Sequence, residues 1–187
     1  MTRLSPVPRW AGTRTGRLAS VLAAFSLAGV LYASDVASKN WAESELRRRG
    51  PRSLLGGMLV LHYRTNSGIA FGLLQAELYF KKRERLIAYS AAVSGAVALV
   101  LLLRLGLGRL GPWPTSLGLV ALLGGSAGNL RDRVNRGGVI DFIDVELGIP
   151  WPAFNLADIY LFVGICLCAV GLWRAYRKDR AAPAQKA

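Results

Sequence analysis

LADIYLFVGICLCAVGLW, residues Leu156–Trp173, has one charged side chain in eighteen positions, Asp158 near its start. As a helix rising about 1.5 Å per residue it would cover ~27 Å, close to the ~30 Å hydrocarbon core of a bilayer. Three further stretches have the same character: Leu18–Ser34, Leu86–Leu103 and Thr115–Leu130. Each is slightly short unless flanking residues extend it. The whole chain agrees, since 52% hydrophobic against 19% charged residues in 187 is too apolar for an ordinary soluble domain. Trp41, Trp113, Trp151 and Trp173 fall at or just beyond the ends of these segments, where an amphipathic ring favours the headgroup level. The expectation is an all-α membrane protein, one domain over 1–187, with four transmembrane helices at 18–34, 86–103, 115–130 and 156–173.

Arg3, Arg9, Arg14 and Arg17 before the first apolar run, with Ala33 and Ser34 after it, also fit a secretory signal peptide. The run continues directly into Asp35, Ser38 and Lys39, which favours a retained helix. With both termini cytoplasmic, eleven of the 24 basic residues lie inside, a count that decides nothing. Ten of the outside ones crowd into one long loop, and ten of eleven acids fall outside as well. The expected topology is N-in, C-in.

Between the first two spans, Met58–Arg64 has β-type residues, Thr65-Asn66-Ser67-Gly68 a turn, and Ile69–Gly72 a resumption. A small extramembrane cradle is expected at about 40–80. Gly137–Pro152 is similar in character. Asn66 and Gly68 would offer a polar side chain and bare backbone to an extended substrate, or simply make a turn.

Several functions are disfavoured. A net charge of +13 invites nucleic acid, but the basic residues are scattered over termini and loops, and Arg47-Arg48-Arg49 and Lys81–Arg85 are better read as lipid-headgroup contacts or solvated charge. No nucleic-acid partner is expected. Cys166 and Cys168 point to nearly opposite sides of a helix, and with His62 the single histidine no metal site or other cofactor is expected. Gly106–Gly111 matches G-x-G-x-x-G but joins two spans instead of a strand and a helix. Gly124 and Gly128 form a G-x-x-x-G better suited to helix packing.

Acids at or within spans cost ~2.5–3.5 kcal/mol at a helix centre and usually mark function. Asp35 with Lys39, Asp132 with Asp141, and Asp158 all lie near one membrane face. If Asn155 caps the last helix, Asp158 is its third residue, near the positive end of the helix dipole. Asp141 and Asp158 brought together would share one proton, the ionised member activating water while the protonated one donates to a substrate carbonyl. Their seventeen-residue separation permits that meeting without requiring it. Asp144 and Glu146 are expected to be solvated loop charge. Asn129 and Asp132, three apart with Arg133 beside them, would orient the acids or terminate the third helix. Asp35 and Lys39, four apart, would brace the first helix or form a surface pair of little worth.

Five blocks, Asp35-Val36-Ala37-Ser38-Lys39, Asn66–Gly72, Gly124–Arg133, Val139-Ile140-Asp141-Phe142 and Phe154-Asn155-Leu156-Ala157-Asp158, stand in this order along nearly the whole chain. In this set the sequence resembles the lipoprotein signal peptidases, or signal peptidase II. The resemblance implies four transmembrane helices, an extramembrane β-cradle, and aspartyl endopeptidase cleavage of prolipoprotein signal peptides just before a diacylglyceryl-modified cysteine. It maps the catalytic pair onto Asp141 and Asp158 and supporting roles onto Asp35, Lys39, Asn66, Asn129, Asp132, Arg133 and Asn155. It also implies a bacterial inner-membrane enzyme, its site near the outer face, with lipidated prolipoprotein and membrane lipids as partners and a monomeric state. The N-terminal arm and the Arg47–Arg52 region are longer and more charged than the family pattern, which leaves their roles open.

Two other classes compete. A Ser38–Lys39 peptidase has poor geometry, because adjacent helical residues point about 100° apart. An ion or proton carrier would spread its acids across the bilayer, whereas these crowd one face.

Overall fold

The computed structural model describes residues 13–66, 79–107, 112–149 and 151–181. Four helices carry the chain: α1 (Arg14–Arg49), α2 (Tyr79–Gly106), α3 (Trp113–Arg136) and α4 (Leu156–Ala181). Three short strands, β1 (Arg52–Leu54), β2 (Leu59–Asn66) and β3 (Val139–Val145), form one antiparallel sheet in the order β1-β2-β3.

Helix α1 starts at Thr13, whose hydroxyl accepts the Gly16 N–H at 3.0 Å, and ends at Gly50, where φ is 83°. It therefore runs fifteen residues past the expected boundary at Ser34, and residues 40–49 of the expected cradle are helical. The reason is a second buried stripe. Asp35, Lys39, Ala42 and Leu46 recur at helical spacing and face the protein. Ala42 and Leu46 pack with Ile140 and Phe142, tying the helix to the sheet. The cradle combines residues 52–66 with β3, whose Arg64↔Asp141 and Asn66↔Val139 register crosses more than seventy positions of sequence. Its expected segment from Ser67 to Gly72, Gly68 included, lies outside the described residues.

The Arg47–Arg52 region links helix and sheet. Arg47 stacks on Tyr63 and Arg52 on Trp41, at 5.7 and 5.9 Å from the ring centres, while Arg49 and Arg52 pair with Glu45. Trp41 packs edge-on against Phe142.

Three helical stretches are long and apolar enough to cross a membrane: Arg14–Arg49, Ile87–Leu105 and Leu156–Arg180. Helix α3 is not among them, which departs from the expected four. It packs against each of the other three helices, and its buried residues include Gly118, Gly124, Gly125, Ser126, Gly128, Asn129 and Asp132. Small and polar residues lower its hydropathy while letting neighbours approach closely. A Cβ on Gly125 would lie 2.6 Å from the Ala157 carbonyl of α4, and one on Gly128 would overlap the Asp35 carboxylate of α1. The G-x-x-x-G pair thus faces α1, with Leu31 and Ala28 against Gly124. The apolar core sits lower in the bundle, where Ala28, Leu101, Leu105, Leu119 and Val120 meet.

Candidate active site

Helix α4 begins with a reciprocal cap. The Asn155 side-chain oxygen accepts the Asp158 N–H at 3.0 Å, and the Asp158 carboxylate accepts the Asn155 N–H at 3.2 Å. This is the cap expected from the sequence. It fixes the Asn155 amide, because its oxygen is committed to the helix and its nitrogen must point away. That nitrogen donates to Asp141 Oδ1 at 2.7 Å and to the Ile140 carbonyl at 3.2 Å. Asn155 therefore bonds both candidate acids.

Each acid has a second amide. Asn66, at the end of β2, donates to Asp141 Oδ2 at 3.0 Å, and Asn129 donates to Asp158 Oδ1 at 2.9 Å. The orientation of Asn129 is set in turn by Lys39, whose ammonium donates to its oxygen at 2.8 Å. Lys39 is fully buried, 2.7 Å from Asp35 and 3.5 Å from Asp132, both also fully buried. Asp35 reaches further, accepting the Ala157 N–H in the first turn of α4 at 2.9 Å. The surface-pair alternative for Asp35 and Lys39 is thereby removed, since a buried pair of this kind is held by its surrounding hydrogen bonds.

Asp132 bonds the backbone of the strand that carries Asp141. Its Oδ2 accepts the Ile140 N–H at 3.1 Å. Neither Asn129 nor Asp132 terminates α3, which continues to Arg136. Arg136 was not singled out in the sequence, although its i, i+4 spacing from Asp132 was the available signal. It donates to Asp132 Oδ1, to Asn40 at 2.8 Å and to Glu43 at 3.0 Å, clamping α3 to the extension of α1.

Asp141, Asp158, Asn66, Asn129 and Arg133 line one cavity of about 260 Å³, with Val93 and Leu161 adding apolar wall. Arg133 acts electrostatically on Asp158 and Asp141 from that wall. Burial raises Asp141 from its ordinary value to about 6; the Asp158 charge adds to the rise, while bonds from Asn66 and Asn155 and the Lys39 charge oppose it. Eight of the nine expected site residues other than Gly68 thus join through direct hydrogen bonds or ion pairs, and the ninth, Arg133, shares the cavity. Asp144 corrects the expectation of solvated charge: it is buried, with Arg64 at 3.2 Å, because it lies on the sheet face that also carries Ile140 and Phe142. Glu146 is exposed as expected. Among the described residues no three His, Cys, Asp or Glu side chains group to hold a metal ion.

The fold and this buried polar cluster define a multi-pass membrane protein with a carboxylate-lined cavity. Residues 27–174 match the family model of signal peptidase II, and the chain belongs to that family of peptidases. It is 32% identical over 147 residues to a lipoprotein signal peptidase of Blochmanniella pennsylvanica, covering 78% of this chain and 85% of that one. Against the lipoprotein signal peptidase of Acaryochloris marina it is 35% identical over 155 residues, with the same coverages. A solved bacterial membrane enzyme, obtained by the in meso method at 2.3 Å resolution, superposes with a TM-score of 0.63 at 21% identity, covering 88% of this chain and 93% of its own.

Proposed function

We propose that this protein removes signal peptides from diacylglyceryl-modified prolipoproteins in the bacterial inner membrane, using Asp141 and Asp158 as an aspartyl dyad. The observation that carries the reading is Asn155, whose side chain bonds Asp141 while its cap bonds Asp158, so that both carboxylates face one cavity. Asp141, raised to about 6, is the member that holds the shared proton and donates it to the scissile carbonyl. Asp158, held by amide donors, is the ionised member that takes a proton from the attacking water. The resulting tetrahedral intermediate collapses when the proton taken by Asp158 passes to the leaving amine and the one given by Asp141 returns. Arg133 and Asn66 at the cavity wall orient the substrate backbone, and Lys39, Asn129, Asp35 and Asp132 keep the dyad in register.

Asp141→Asn and Asp158→Asn should each lower signal-peptide release from lipidated substrate by at least about 10²–10⁴-fold, the range general acid–base catalysis supplies. The double variant should be little worse than either single, because the carboxylates act as one unit. Exposed Glu146→Gln should stay near the parent rate. Substantial turnover by either folded dyad variant would overturn the assignment.

We further propose that α3 crosses the membrane with the other three helices, both termini inside and the cavity near the outer face. In a background lacking Cys166 and Cys168, cysteines at the exposed positions Val134 and Leu147 should label from outside intact spheroplasts, and cysteines at Ser116 and Tyr176 should not. Labelling of Ser116 and Val134 from the same side would remove the fourth crossing.

A further inference from the structure

At the end of the bundle away from the candidate site, α2 finishes, α3 begins and α4 continues into its basic tail. Arginines and aromatic rings collect there. Arg174 lies over the Trp113 ring at 5.9 Å, while Arg177 and Arg180 lie over Trp173 and Tyr176, both at 5.0 Å. Stacking uses the flat face of a guanidinium and leaves its in-plane N–H groups available to an acceptor.

Arg104 differs from these three. It lies within the apolar stretch Ile87–Leu105, and its neighbours Leu101 and Leu105 are buried in the core with Leu119 and Val120. Its Nε–H is buried and has no hydrogen-bond partner. A polar N–H at that depth calls for an acceptor, since hydrocarbon supplies none. Its charge reaches Cys168 on α4, whose thiol lies 3.8 Å from the Thr115 carbonyl, two residues after Trp113. Arg104 on α2 is therefore close enough to act on Cys168 of α4 where that helix meets the start of α3, the end of the bundle that also holds the Arg174–Trp113 stack. Among the described residues neither arginine forms an ion pair with a carboxylate.

We propose that Arg104 and Arg174 bind the phosphate of an anionic glycerophospholipid, with Trp113 beside its glycerol backbone. A phosphodiester offers paired oxygens that match the guanidinium fork, and its height in the bilayer is the height at which interfacial aromatic rings settle. Its acyl chains would continue along the exposed apolar side chains Leu102 and Leu103 of α2. Basic pockets between helices favour anionic headgroups for these reasons. The inference is independent of which carboxylates perform peptide cleavage.

Native mass spectrometry of the full chain, titrated with phosphatidylglycerol or phosphatidylcholine of the same acyl composition, tests it. The parent should retain phosphatidylglycerol preferentially. Arg104→Gln and Arg174→Gln should each weaken that retention about fivefold, and Arg177→Gln should not. Thermal melts identify any variant that has lost its fold; if Arg104→Gln does, Arg174→Gln carries the test. Millimolar inorganic phosphate should leave the lipid in place, and its displacement by phosphate would mark a soluble-anion site instead. Equal retention of the two lipids by the parent, or folded Arg104→Gln and Arg174→Gln variants indistinguishable from Arg177→Gln, would overturn the proposal.

Discussion

Helices α3 and α4 are nearly equal in length, at 24 and 26 residues, yet they relate to their surroundings in opposite ways. Helix α4 exposes Phe162, Ile165, Val170, Leu172 and Trp173 on its outer side, a surface too apolar to be left to water. Helix α3 exposes few large apolar residues, among them Trp113, Leu117 and Val134, and buries glycines, Ser126, Asn129 and Asp132 against its neighbours. On the proposed fourth crossing, hydropathy along a chain reports contact with lipid more than passage through it. A central helix that carries a polar site can lose its apolar signature without leaving the bundle.

The sharpest way to break this comparison is to remove the cation that α3 borrows from α1. Lys39→Met leaves Asp35 buried without a cation, takes one of the two sides of the Asp132 pairing and removes the ammonium donor from Asn129, and should cost about 3–5 kcal/mol. Arg47→Met, at an exposed pair with Glu43 on the same helix, should cost at most about 1 kcal/mol. Denaturation in detergent reads both, and equal losses would mean that the interior network is not what holds the helices.

Glycine replacement sharpens the contrast at smaller scale. Gly125→Ala and Gly128→Ala on α3 push a methyl group into α4 and α1, and should destabilise by about 1–3 kcal/mol each. Gly95→Ala on α2 meets nothing within 4 Å and should stabilise by about 0.5–1 kcal/mol. Melting temperatures that fell equally at all three positions would contradict tight packing of α3.

The last expected effect is on pH dependence. Asp141 has a folded pKa of about 6, above its ordinary value, so ionising it disfavours the folded state. The penalty is absent below about pH 4, grows as pH rises towards 6 and is complete above it. Asp141→Asn lacks that penalty. The difference in melting temperature between variant and parent should move in the variant's favour from pH 4 to pH 7, and a constant difference would show that the carboxylate is not desolvated.

Much of this was legible locally. Asn155 and Asp158 announced a helix start by their spacing, and Gly124 and Gly128 announced a packing face. Asp35 and Lys39 were visible as a pair, but their burial was not, because spacing fixes which side of a helix two residues share and not what covers it. The extension of α1 was hidden by its own polarity: Asp35, Lys39 and Asn40 resemble the end of a span, and only the 35/39/42/46 stripe reveals that the helix goes on. The bond between Asn66 and Asp141 joins positions 75 apart through a strand register with an irregularity between Leu61 and Arg64, which no local pattern encodes. Asp144 was misjudged for a related reason, since the face of a strand is decided by the register of its partner.

The reciprocal cap at the start of α4 has a consequence for biogenesis. Asn155 and Asp158 belong to α4, which leaves the ribosome after α1, α2, α3 and the sheet, and the same hydrogen bonds that start this helix also join it to Asp141. During synthesis the earlier elements are present with one acid of the pair and without the amide that links them. A nascent chain therefore lacks the proposed pair of acids until α4 has docked, so the proposed site is assembled only after the three earlier helices and the sheet are in place.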